Sequence, residues 1–155
     1  MVLTSIVAAA AVFAQAEQPS RLDLVCLGAG SANHPDFRTG SAMDSSGNMA
    51  WGQSVGQRSV PFDDQVNLWV EGDAGEIMLP RVMLPIIRGG KDGWFKLKGI
   101  KVTDREITGT ASVNPLNNPK VRIDRITGTI SIAGKAGNYS GSCQRYDPDT
   151  TKRAF

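Results

Sequence analysis

The chain has 155 residues, with 17 basic and 15 acidic side chains, one histidine, two cysteines and a formal net charge of +2. So even a balance gives no electrostatic reason to expect nucleic acid or a membrane surface as partner, and no nucleic acid is expected. The length suits one ordinary domain that buries roughly two-thirds of its unfolded surface.

From Val2 to Ala16 the chain is uncharged. Leu3, Ile6, Val7, Val12 and Phe13 stand among alanines, and the run ends in Ala14-Gln15-Ala16, a small-x-small cleavage pattern. Crossing a bilayer takes about 20 apolar residues, so this run is too short for an anchor and fits the apolar region of a signal peptide. No Lys or Arg occurs in Met1–Ser5, where a secretory signal normally carries one. The expected organisation is a signal peptide over 1–16 and a single β domain over 17–155. The mature chain then has no transmembrane segment, and its destination is the periplasm or the exterior.

Cys26 and Cys143 stand near the two ends of that domain. In an oxidising compartment two cysteines imply one bridge, here joining the first predicted strand to the last. On the chain-entropy model, closing a loop that long stabilises by about 4 to 5 kcal/mol. Two free buried thiols are the alternative. A site made with His34 would lack a fourth ligand, and neither metal nor cofactor is expected.

Period-two alternation dominates the rest. Strands are expected over Leu22–Leu27, Gln65–Glu71 with Val66, Leu68 and Val70 on one face, Glu76–Leu79, Trp94–Lys98, Ile107–Val113, Lys120–Asp124, Thr129–Ala133 and Tyr139–Gln144. Turns are expected at Asn114–Pro119, at Arg125–Gly128 with Gly128 at positive φ, and at Ala136–Asn138. The pattern is all-β: an antiparallel sandwich or small barrel of roughly 7–9 short strands with one disulfide. Glu106–Val113 and Arg125–Ile132 echo one another nineteen residues apart, which suggests similar strand solutions. Residues 28–56 are rich in Gly, Ser, Asn and Pro and are expected as a long loop, with Trp51 opening a short strand; Pro80–Gly93 is a second loop.

Two motifs resemble catalytic or cofactor signatures but lack their context. Gly28-Ala29-Gly30 follows a strand as in dinucleotide-binding units, yet Pro35 and the glycines beyond provide no helix for a pyrophosphate. Gly52-Gln53-Ser54-Val55-Gly56 matches a nucleophile elbow, but the one histidine, His34, lies upstream. Asp63 and Asp64, adjacent in a strand, point to opposite faces and cannot share a proton. Asp104 and Glu106, near Lys101 and Arg105, suit a solvated charged rim.

The segment from Arg81 to Arg105 is basic and carries Trp94-Phe95 at its centre, with Lys120, Arg122 and Arg125 adding to it should the strands be neighbours. Candidate binding residues are Arg88, Lys91, Trp94, Lys96, Lys98 and Arg122, with Trp69 as a second aromatic platform. Such a surface suits an anionic envelope component or a protein partner; an ordinary solvated β face, with Trp94 or Phe95 in the core, is the competing reading.

Leu24–Gly28, Gly90–Lys98, Val121–Arg125 and Gly141–Gln144 together resemble an uncharacterised family of small exported proteobacterial proteins. The resemblance implies the fold and export and brings no activity, ligand or site residue. The leading functional expectation is an exported, non-enzymatic binding domain. The alternatives are a hydrolase using Asp or Glu in a loop site, and a purely structural or assembly protein of the envelope.

Overall fold

A computed structural model describes residues 20–147; the predicted signal peptide over 1–16 lies outside them. Eight antiparallel strands follow one another around a closed barrel: β1 (Leu22–Met43), β2 (Met49–Glu71), β3 (Ala74–Met78), β4 (Trp94–Val102), β5 (Glu106–Ala111), β6 (Lys120–Asp124), β7 (Thr129–Gly134) and β8 (Gly137–Arg145). β8 pairs back onto β1, with Cys26 directly opposite Cys143, and these two form the disulfide. The bridge therefore staples the seam where the barrel closes. Among the described residues no helix is long and apolar enough to cross a membrane.

Alternation places every second side chain inside. Val66, Leu68 and Val70 of β2, Ile77 of β3, Phe95 of β4, Ile107 and Ala111 of β5, Val121 and Ile123 of β6, Ile130 and Ile132 of β7 and Tyr139 of β8 are all buried. An eight-stranded barrel is just wide enough for such side chains to fill. Each aliphatic or aromatic burial contributes about 1.5–3 kcal/mol, which makes the interior the main source of stability. Tyr139 brings a hydroxyl into it. Its ring stacks on Phe62 with centroids 6.3 Å apart, and its OH has the carbonyl oxygens of Asp64 at 3.0 Å and Cys26 at 3.2 Å to donate to. Burial, with the nearby Asp64 charge second, raises the pKa of this phenol.

Turn chemistry shapes the rest. In β4 the pairing passes from Lys98 opposite Thr110 to Lys101 opposite Thr108, so β4 carries one extra residue, a bulge made by Gly99 at φ +61°. Arg125–Gly128 is the expected hairpin turn, with Gly128 at φ +68°. The echo with Glu106–Val113 does not extend to structure: Ile107 is a buried strand residue, whereas Ile126 is exposed in the turn. The residue just before each copy decides this. Asp124 accepts hydrogen bonds on Oδ1 from the amides of Ile126 and Thr127, fixing a turn, and its counterpart Arg105 has no acceptor to offer.

Residues 28–56, expected as a loop, are mostly strand. β1 and β2 run on past the barrel in unbroken register from Leu22 opposite Val70 to Met43 opposite Met49, forming a two-stranded arm beyond Ala32. Its tip is Asp44–Asn48, where the Asp44 carboxylate accepts from the amides of Ser46 and Asn48 and from the Asn48 side chain. Pro35 and Pro61 are tolerated because here each strand has a neighbour on one side alone. Gly28 and Gly30 lie in β1 where it crosses β8: a Cβ on either would strike the carbonyl oxygen of Ser140 or Asn138. These glycines serve a close strand approach rather than a phosphate. Ser54 lies in extended strand opposite Arg38, with no elbow turn.

Candidate functional site

On the outer wall of the barrel, cross-strand pairing aligns Asp23 of β1, Trp69 of β2, Glu76 of β3 and Lys96 of β4 in one row. Arg21, just before β1, lies over Trp69 with its guanidinium carbon 4.6 Å from the ring centre and is held there by an ion pair to Asp23 at 2.9 Å. Trp69 thus has one neighbour in place, a cation stacked on its face.

The other wall of the site is the segment after β3. A short 3-10 turn over Arg81–Met83 leads into an extended loop, which is tied down at two points. The Gly89 amide donates to the Val113 carbonyl at 2.8 Å, and Asn114 Nδ2 donates to the Ile87 carbonyl at 2.9 Å. Asn114 is itself fixed, because its Oδ1 accepts from the amides of Leu116 and Asn117. The loop then re-enters the barrel through a two-residue turn. Lys91 and Trp94 exchange both backbone hydrogen bonds across Asp92 at φ +54° and Gly93 at φ +85°, the positive pair that a tight hairpin needs and that Asp-Gly supplies. This turn sets the direction of the next two side chains: Phe95 goes into the core, and Trp94 faces outward.

Between these walls lies a groove of about 1010 Å³ whose lining includes Trp69, Ile87, Arg88, Lys91, Trp94 and Lys96. Five of the seven predicted binding residues therefore converge. Arg21, Arg88, Lys91 and Lys96 bring four cations to it, against the carboxylates of Glu76 and Asp92. Among the described residues Arg88, Lys91 and Lys96 take part in no ion pair, so their charges are available to a ligand. Two indoles beside unpaired cations can hold an anion that also offers a flat or apolar surface.

The other two predicted residues lie elsewhere. Lys98 is on β4 opposite Thr110, outside the groove lining. Arg122 is on β6, separated from β4 by β5, in a different depression, and its Nε pairs with Glu106 Oε2 at 2.6 Å. Its charge is already matched. Arg21, Glu76, Ile87 and Asn114 are also part of the groove and carry no sequence signal, because they meet across segments far apart in the chain: Glu76 by strand pairing, Arg21 by stacking on Trp69, and Ile87 with Asn114 by a hydrogen bond between loops. A signal did exist for the loop wall, in the Asp92-Gly93 turn dipeptide. Among the described residues no group of three or more His, Cys, Asp or Glu could hold a metal ion.

Comparison with protein-family models, curated proteins and solved structures finds no match. The fold and groove define the chain by architecture: a closed, disulfide-stapled eight-stranded barrel with a basic aromatic groove on its outer wall.

Proposed function

We propose that this is an exported, non-enzymatic binding domain, acting in the periplasm or outside the cell, that holds an anionic envelope component in the groove between Trp69 and Trp94. The observation that carries the reading is the convergence of Arg88, Lys91 and Lys96, unpaired among the described residues, with two indoles on one surface. The disulfide supports an oxidising compartment. The ligand chemistry that suits the groove is a carboxylate- or phosphate-bearing polymer or headgroup. The cations would take the charges and the indoles the less polar surface.

Retention of the purified chain on anionic envelope polymers, measured across a salt series, tests this. Binding should weaken as salt rises, since the contacts are partly solvent-screened. Lys91→Ala with Lys96→Ala should abolish retention, and Trp94→Ala should lower it about 10-fold or more, as expected for an aromatic anchor. Arg122→Ala, outside the groove, should leave it unchanged. Salt-insensitive behaviour, or equal loss in the Arg122→Ala variant, would contradict the assignment.

A further inference from the structure

We propose that the arm formed by residues 33–59 is a self-association element, and that its apolar face packs on the same face of a second copy of this chain. The β1–β2 ladder sets Phe37 opposite Val55, Ser41 opposite Trp51 and Met43 opposite Met49, so five large apolar side chains share one face. Trp51 is 77% exposed and Phe37 75%, and the other three are each more than half exposed.

That face is not an unfinished part of the barrel interior. In the barrel the buried residues of β1 and β2 hold even positions: Leu24, Cys26 and Ala32, and Val66, Leu68 and Val70. In the arm the five apolar residues hold odd positions, although the ladder runs between the two regions without a bulge. A strand's side chains alternate strictly, so the apolar set has moved to the side away from the core. The inward side of the arm instead carries Gly40, Ala42, Ala50 and Gly52, and the Asp36–Arg38 ion pair.

The occupant must be apolar, uncharged and able to hydrogen-bond. The exposed face, from Asn33 to Met43 and from Met49 to Ser59, has no charged residue, so an anionic ligand finds no counterpart on it. Thr39, Ser41, Gln53 and Gln57 lie among the apolar residues, and hydrocarbon would leave their polar groups unsatisfied, which disfavours lipid. A second copy meets both needs. A two-fold axis between the Thr39–Gln53 and Ser41–Trp51 rungs sets Phe37 and Val55 of one copy over Met43 and Met49 of the other, and each Trp51 over a Thr39–Gln53 rung. The five side chains offer roughly 700 Å² per copy, and the pair about twice that, within the range of about 1,200–2,000 Å² typical of stable interfaces. A patch of that size is also larger than monomers usually leave exposed.

The test is the mass of the full exported, disulfide-bonded chain in solution across a dilution series, by light scattering or sedimentation. The wild type should show twice the monomer mass. Phe37→Ser with Trp51→Ser should weaken pairing about 100-fold or more, since both residues are central anchors. Arg38→Ser, on the opposite face, should leave pairing intact. Circular dichroism of each variant reports whether the barrel is folded, and Met43→Ser with Met49→Ser at the arm tip replaces the first pair should that variant misfold. A wild type that is monomeric at every concentration, a dimer that survives both double substitutions, or a monomer that instead partitions into phospholipid vesicles would overturn the proposal.

Discussion

The barrel and the arm are built from the same two strands in one continuous register, yet they use alternation in opposite ways. Within the barrel β1 and β2 turn Leu24, Cys26, Val66, Leu68 and Val70 inward, where the other six strands cover them. Beyond Ala32 the other strands end, and the apolar residues Phe37, Met43, Met49, Trp51 and Val55 move to the outer face. Strand formation therefore needs only the paired neighbour, whereas stability needs the covering layer.

The contrast is broken most severely in the core. Phe95→Ala should destabilise the barrel by about 3–5 kcal/mol in denaturant unfolding, because Phe95 is fully buried. Trp51→Ala, on the arm, should change barrel unfolding in dilute solution by about 0.5 kcal/mol or less. Comparable losses at the two sites would show that the arm is packed against its own barrel.

The seam comes next. Replacing Cys26 and Cys143 together by Ser should cost about 2–5 kcal/mol, since the bridge closes a separation of 117 residues. Reduction should lower the melting temperature in the same sense. Tyr139→Phe should cost about 1–2 kcal/mol by removing the hydroxyl that reaches the Asp64 and Cys26 carbonyls. An unchanged melting temperature in that variant would show the buried hydroxyl to be dispensable.

The smallest effect concerns acid. Amide hydrogen bonds, from Thr127 and Ile126 to Asp124 and chiefly from Asn48 to Asp44, hold both carboxyls below the ordinary value of 3.8. A carboxyl depressed in the folded state stabilises it above its unfolded pKa, and the contribution is lost as pH falls through the lower folded value. Stability should therefore decline as pH drops below about 4. Asp124→Asn should flatten the decline seen in barrel unfolding, while Asp44→Asn should leave that decline intact and affect arm exchange alone.

Alternation in Gln65–Glu71, Ile107–Val113, Lys120–Asp124 and Thr129–Ala133 was enough to place four barrel strands, because their apolar residues fall at every second position and are covered on one face. Two cysteines at the ends of the domain were enough for the seam. The arm was hidden because Thr39, Ser41 and Gln53 interrupt its apolar face, and its glycines resemble loop composition. Beside the short strand expected at Trp51, Asp44-Ser45-Ser46-Gly47-Asn48 is a local signal, a turn that closes on the Met43–Met49 rung. The groove was half legible. Residues 88–96 are neighbours in the chain, but Trp69 joins them through pairing across β2, β3 and β4, and Arg21 by stacking on Trp69. Charge alone places Arg122 with them, and only the fold shows that it pairs with Glu106.

Amide hydrogen exchange along the whole chain, with and without a retained anionic polymer, tests the groove most directly. Protection should appear on ligand addition in residues 87–94 and 112–115 and leave β6 and the arm unchanged. Protection centred on Arg122, or on the arm, with none in the 87–94 loop would contradict the assignment of this groove as the binding site.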